Sequence, residues 1–471
     1  MDSTDIFDNV NQFDTSSSNN IFHHQRTFTQ GSKISFIVIG AGLIGPRHAE
    51  HVFQRSDCKL MAIVDHSAKG PKVAAKFNCL IFADLQQLFI HCETYNIPFP
   101  DAAIVATPNH THLDMAMELA TRGIHILMEK PLASNATDCK TLMNYCEHKQ
   151  VKLLVGHHRR FNPYVITTKE NIPKVGKLVA VQGTWTMCKP PSYFMEKPWR
   201  STIAKGGGTL LINLIHDLDL LQYLLGPIEK VYAELLPKQR TDRFGEMEVD
   251  DCDLVDEGAA LTLRFANGCC GTFVCSDNVT SPFSFESGTG ENPTIPFNKN
   301  VAGFYRIFGS HGTISVPDLK LYHQNDALDL INQHAFNNSM TSNRDDSRTW
   351  LNPIQCEQLQ MNHEKPVPAV APISTNGMIT PSPSPDYKVS PIHNIGMGKK
   401  PKPFDLQLDH FVNLITGSET VIKCTGEDAL RALLCIEAVI KSIETGLPQY
   451  VDSVESIQPD YELLNRYMYN I

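Results

Sequence analysis

Residues 36–45 read Phe36-Ile37-Val38-Ile39-Gly40-Ala41-Gly42-Leu43-Ile44-Gly45, an apolar run closing in a G-x-G-x-x-G turn. In a strand–turn–helix unit each glycine has its own task. Gly40 turns the chain, Gly42 leaves no Cβ between backbone and a phosphate, and Gly45 lets the helix pack close to the strand. Leu43 and Ile44 complete the turn and count with it as cofactor-binding. A second apolar run, Leu60-Met61-Ala62-Ile63-Val64, ends at Asp65. An acid about twenty residues beyond the last glycine can accept hydrogen bonds from an adenosine ribose. Strand, turn, helix and acid together predict a dinucleotide-binding unit, against the plainer alternative of a structural glycine turn. Asp65 favours NAD, because a carboxylate repels a 2′-phosphate. His66 and Ser67 beside it leave NADP open.

Outward from that turn, apolar runs at 34–39, 60–64, 102–106, 124–128 and 151–155 alternate with helical segments such as Leu113 to Arg122. This is the rhythm of a parallel sheet covered on both faces, whose ligands bind at the carboxyl ends of the strands. Beyond Val181 the pattern changes to one helix over 206–224 and then period-two segments at 230–235, 260–265, 269–275, 304–308 and 312–316, with Asn267-Gly268 as a hairpin turn. The acidic stretch Glu246 to Glu257 reads as a solvated loop. Residues 332–402 contain Pro381-Ser382-Pro383-Ser384-Pro385 and little apolar period, the composition of a largely disordered insertion. Helical spacing resumes over 404–415 and 427–444. The expected fold is α/β: a disordered tail (1–32), a Rossmann domain (33–155), and a second α/β domain (156–331 and 403–471) built on an open, largely antiparallel sheet.

A net charge of −10 opposes a broadly basic nucleic-acid surface, so no direct nucleic-acid partner is expected. No apolar run has membrane-spanning length, and no membrane partner is expected. The first 31 residues lack an apolar signal core, and Asp2, Asp5, Asp8 and Asp14 oppose a transit peptide. Thirteen cysteines, without a C-x-x-C pair, suit a reducing compartment, and the expected location is cytoplasmic.

Residues able to do chemistry follow the third and fourth runs. Thr107-Pro108-Asn109-His110-Thr111-His112 fits a cofactor loop better than a zinc site, since no further ligands lie near His110 and His112, and no metal is expected. In Met128-Glu129-Lys130-Pro131, a lysine at a strand end can stay charged and lower the cost of a developing alkoxide. In isolation the same residues would be a surface ion pair. Gly206-Gly207-Gly208-Thr209-Leu210-Leu211-Ile212-Asn213-Leu214-Ile215-His216 places a histidine in an apolar helix behind three glycines. Its imidazole can exchange protons near neutral pH, with Asp219 one helical turn on to orient it.

Taken together, Gly40 to Gly45, Glu129-Lys130-Pro131 and the glycine-rich helix ending at His216 resemble the glucose-fructose oxidoreductase and inositol dehydrogenase family, Gfo/Idh/MocA. The resemblance covers about residues 33–325 and 404–452. It implies an NAD(P)-dependent dehydrogenase or reductase acting on a CH–OH group of a sugar, cyclitol or related polyhydroxylated small molecule, with the open sheet serving a homodimer or homotetramer. It further implies that Lys130 contacts the reacting oxygen and that His216 is the acid/base. By position, Thr107, Pro108, Asn109, His112, Glu129, Lys130, His158, Trp199 and Arg200 are cofactor-contacting, and Lys130, Arg159, Asn213 and His216 face substrate. One departure stands out: where many members carry an aspartate four residues before the histidine, this chain has Ile212. The segments Ser281 to Glu286 and Gly290 to Pro293 resemble a loop of a bacterial branch, either a pocket wall or a structural contact. A rival implication comes from dinucleotide-sensing transcriptional regulators of the same fold, which catalyse nothing.

Overall fold

A computed structural model describes residues 32–203, 206–240, 255–324, 354–361 and 402–469. The first sheet contains β1 (Ile34–Ile39), β2 (Cys58–Val64), β3 (Leu80–Phe82), β4 (Ala102–Val105), β5 (His125–Met128) and β6 (Leu153–Val155). All neighbours are parallel and the order is β3-β2-β1-β4-β5-β6, so the strand order reverses between β1 and β4. The apolar runs dictate this arrangement: Val38 and Ile39 of β1 and all of β4 are buried, as a strand covered on both faces requires. Helix Gly45–Gln54 covers one face through Gly45, His48, Ala49 and Val52, a single stripe at helical spacing.

The second sheet holds β7 (Leu178–Thr186), β8 (Ile228–Leu235), β9 (Gly258–Phe265), β10 (Cys270–Ser276), β11 (Tyr305–Gly309), β12 (Gly312–Val316), β13 (Lys320–His323), β14 (Gln355–Gln358) and β15 (Gln449–Tyr450). Its order is β14-β13-β12-β11-β7-β10-β9-β8-β15, with β7 and β10 parallel and every other pair antiparallel. Cys269 is buried and Cys270 exposed, alternate faces of one strand edge. No helix among the described residues is long and apolar enough to cross a membrane.

Four features depart from the sequence reading. Residues 210–214 form a π turn ahead of helix Ile215–Leu225, where continuous α-helix was expected. The acidic stretch ends in buried Glu257, which accepts from the amides of Gln239 and Arg240 and from Asn278 Nδ2, so its end is no solvated loop. Residues 246–254 of that stretch lie outside the described residues.

The third departure is the segment after the insertion, which joins both domains. Helix Pro403–Thr416 seats Leu408 and Phe411 beside Phe36 and Val38 of β1. Helix Gly426–Thr445, begun by a Thr425–Asp428 capping box, has two buried faces. Leu430, Leu433 and Leu434 join the core of the first sheet, and Ala432, Ile436 and Val439 that of the second.

The fourth lies within residues 332–402, where Gln355–Gln358 pairs antiparallel with β13 and Leu359 is buried in the second core. The remainder of the tail and insertion assignments falls outside the described residues. Replacing residues 362–400 with a short flexible linker should therefore leave cofactor affinity and melting temperature nearly unchanged, because Pro-rich polar sequence offers no core of its own. Extending the replacement back to residue 354 should lower the melting temperature, since Leu359 and the β13 edge then lose their cover. A large loss from the shorter replacement would overturn this division.

Candidate active site

At the end of β1, Gly40 has φ +97°, and a Cβ there would lie 2.5 Å from the Ala106 carbonyl oxygen. A Cβ on Gly45 would lie 1.8 Å from the carbonyl oxygen of Gly40. At Gly42 the same test meets nothing within 4 Å, so the space ahead of helix Gly45–Gln54 is open. That helix has Ile44 at its N-cap and no side-chain cap, which leaves its first amides to an anion. Leu43 at the turn is exposed. Asp65 accepts from the amide of Ala41 through Oδ2 and, at 2.7 Å, from the amide of Ser67 through Oδ1. Burial pushes its carboxyl up, but these hydrogen bonds prevail and hold it below the usual range. An open glycine cradle, uncapped amides and an ionised acid at the next strand end fit a dinucleotide.

Beyond β4, Pro108 is exposed and Asn109 half-buried; a Cβ on Gly206 would lie 3.3 Å from Asn109 Nδ2. The Thr111 hydroxyl donates to Thr107 Oγ1 at 2.8 Å, bracing this loop. His112 corrects its assignment as a cofactor contact. It is fully enclosed, with Nδ1 2.9 Å from the Pro131 carbonyl and Nε2 3.0 Å from that of Thr107. It therefore ties the β4 loop to the β5 loop from behind. Trp199 is partly exposed, whereas Arg200 donates to the Tyr193 carbonyl at 2.7 Å and lies over the Tyr193 ring at 3.7 Å.

Glu129 and Lys130 follow β5. Glu129 sits 2.7 Å from His48 Nε2; burial opposes its ionisation, but His48, with His158 and Lys130, outweighs burial and keeps the carboxyl below its ordinary range. Lys130 Nζ donates to the Ile212 carbonyl in the π turn at 3.2 Å, which draws the β5 end onto the glycine-rich helix. Burial, aided by Arg159 and Lys189 and opposed by Glu129, lowers the ammonium to about 8. His216 is buried, with ring centroids of His157 and His158 at 6.4 and 5.8 Å. Burial first, and then Lys130, Arg159 and the two histidines, push its pKa well below the usual value, so the ring is neutral at pH 7. Its Nδ1 has no partner among the described residues. Π turns recur where a helix must place a side chain off the α register, and this one stands immediately before the histidine.

Asp219 does not orient His216. It takes Arg160 through Nε at 3.0 Å and Nη2 at 2.6 Å and lies 3.5 Å from His157 Nδ1. Arg159, expected to face substrate, is enclosed: Glu286 and, at 3.1 Å, Glu291 accept from it, and Asp217 lies at 3.5 Å. Glu286 also accepts from Trp185 Nε1 at 2.8 Å, and Asp217 from the Tyr305 hydroxyl. Burial drives Asp217 up to about 7 despite Arg159 and Tyr305. His158 stacks on Phe404 at 4.5 Å, with Nε2 3.7 Å from Glu291. The loop 281–293 thus contributes two carboxylates to the wall.

The family model of an oxidoreductase family with an NAD-binding Rossmann fold, GFO/IDH/MocA, matches residues 34–157, and that family's C-terminal domain matches residues 173–315. The chain belongs to the GFO/IDH/MocA family. This GFO/IDH/MocA chain is 26% identical over 198 residues to a 2,7-anhydro-N-acetylneuraminate hydratase of Mediterraneibacter gnavus, covering 41% of the chain and 50% of that protein. It is 28% identical over 194 residues to an inositol 2-dehydrogenase of Rhizobium meliloti, covering 41% of the chain and 55% of that protein. The match thus spans about half the length of these curated relatives. A crystal structure of the WlbA dehydrogenase from Bordetella pertussis with NADH and UDP-GlcNAcA shares the fold at TM-score 0.58 and 19% identity, over 89% of this chain and 99% of that one.

Several residues of this GFO/IDH/MocA site escaped sequence reading. Lys189 Nζ donates to Asn213 Oδ1 at 2.7 Å and pairs with Asp277 at 3.2 Å. Its signal was available, since Lys189-Pro190 after β7 repeats the lysine–proline pattern of Lys130-Pro131. His48 lies one turn into the helix that Gly45 begins, where nothing in its own neighbourhood points to Glu129. Among the described residues no group of three or more His, Cys, Asp or Glu side chains is placed to hold a metal ion.

Proposed function

We propose that this chain transfers a hydride between a nicotinamide cofactor, NAD in preference to NADP, and a secondary alcohol or ketone of a sugar, cyclitol or related polyhydroxylated compound. The observation that carries the reading is the proximity of Lys130 to neutral His216, whose pKa it helps to depress, beside the strand ends where the glycine turn and Asp65 lie. The nicotinamide, when bound, supplies the two-electron chemistry. Lys130 directs its ammonium at the reacting oxygen, exchanging the Ile212 carbonyl for an atom that gains negative charge. His216 takes the hydroxyl proton in oxidation and returns it in reduction. The buried walls keep bulk water from both groups, and Glu129, held by His48, supports the charge on Lys130.

The matched hydratase and inositol 2-dehydrogenase, by their names, support a sugar or cyclitol ligand. Action as a homodimer or homotetramer in the cytoplasm completes the proposal. The test is a screen of polyols, sugars and sugar derivatives, and of their keto forms, followed by cofactor absorbance. Turnover of at least one is expected. Failure of all, with dinucleotide-dependent capture of a transcription factor, would establish the regulator reading instead.

Cofactor choice has its own test. Asp65→Ala should weaken NAD binding by roughly tenfold or more, the scale of a charged hydrogen bond, and bring NADP up to parity. Titration of both cofactors into wild type and variant decides it, and tighter NADP binding by the wild type would sink the idea.

A further inference from the structure

An ammonium only donates, so the amide oxygen of Asn213 is the atom that faces Lys189, 2.7 Å away. Lys189 is itself fixed: it is buried, paired with Asp277 at 3.2 Å, and lies 4.5 Å over the Tyr193 ring. A flip of the amide would set NH2 against ammonium, so the orientation is locked. What Asn213 has left is Nδ2, a donor without a partner among the described residues.

Charge decides what that donor meets. Lys189 and Arg240 share one carboxylate, Asp277, which Arg240 reaches at 2.7 Å. Lys130 has a carbonyl for its partner, and Lys189 lies near enough to help depress its ammonium. On the opposite wall, Glu286, Glu291 and Asp217 are engaged by Arg159, with Trp185, His158 and Tyr305 as further partners. Glu129 lies beside Lys130 and is hydrogen-bonded to His48, and Glu286, held by Arg159, also acts on the ammonium. Around Asn213, the cations Lys130, Lys189 and Arg240 thus outnumber the two carboxylates they adjoin, Glu129 and Asp277.

We propose that Asn213, locked by Lys189, determines specificity and selects a polyhydroxylated substrate that carries a carboxylate near its reacting carbon. A hydroxyl can also accept from Nδ2, but it brings no charge to offset the two lysines. A carboxylate does both, and charge-assisted bonds are the stronger kind. The inference rests on the reading that substrate sits between Lys130 and His216.

The test is calorimetric titration of the full chain, loaded with NADH, with D-glucuronate and D-glucose, which differ only in carboxylate against hydroxymethyl. Glucuronate should bind tighter by about tenfold or more. Asn213→Asp, which sets carboxylate against carboxylate, should abolish or reverse that ratio with NADH affinity retained. Should that variant not fold, Asn213→Ala is expected to reduce the ratio, and Lys189→Met to reduce it further while Lys189→Arg preserves most of it. Equal affinities in the wild type, binding of neither probe, or an unchanged ratio in the Asn213 variants would overturn the proposal. The readout is binding and needs no turnover, whereas the parent reading stands or falls on turnover in the substrate screen; either can fail alone.

Discussion

Lys130→Met should lower turnover by roughly two orders of magnitude or more while cofactor affinity changes little, the scale of losing one preorganised donor aimed at developing charge. Methionine keeps the length of the side chain and removes the ammonium, so the loss reports charge rather than packing. The same lysine predicts a pH dependence. Its pKa is lowered to about 8, chiefly by burial, so it is charged at pH 7 and loses its proton as pH rises through that value. Turnover should therefore fall on the alkaline side of about 8, while His216, whose pKa lies well below its usual value, stays neutral throughout. Lys130→Arg should move the alkaline fall out of range, because guanidinium keeps its proton. Rate profiles of the three proteins on any active substrate decide the matter. Near-wild-type turnover of Lys130→Met would reject the assignment.

The second large effect is on stability. Arg160 donates to Asp219 through two nitrogens, to the Lys423 carbonyl at 3.0 Å, and lies 2.9 Å from Asp428. Asp219 is 1% exposed, so Arg160→Met strands a carboxylate with no water to receive it. Removing one partner of such a pair costs about 3–5 kcal/mol. Urea unfolding should show a midpoint lowered to match, and Arg160→Met combined with Asp219→Leu should recover much of the loss, since both charges then leave the interior together. An unchanged midpoint in the single variant would mean that Asp219 is reached by solvent or by another cation.

Local chemistry was legible in the sequence. The glycine turn, Asp65, Lys130 and His216 each sit at a strand end or behind a glycine run, and neighbours within a few residues explain them. Contacts between distant segments were not. Asp219 lies one turn from His216, and spacing alone pairs them, yet a guanidinium fifty-nine positions away takes the carboxylate. Arg159 reads as a free cation until the 281–293 loop folds over it. The π turn leaves no mark in composition, since Leu210-Leu211-Ile212-Asn213-Leu214 suits an α-helix equally well. Periodicity tells which face of a helix is buried, not against what, which is why the C-terminal helices were assigned to one domain.

Helix Gly426–Thr445 has a mechanical consequence. With Leu430, Leu433 and Leu434 set in one core and Ala432, Ile436 and Val439 in the other, any hinge rotation between lobes must pull apolar side chains out of one of them. Clamshell breathing is thereby blocked. A ligand therefore meets a bed of fixed shape, because the two sheets cannot part without unseating that rivet.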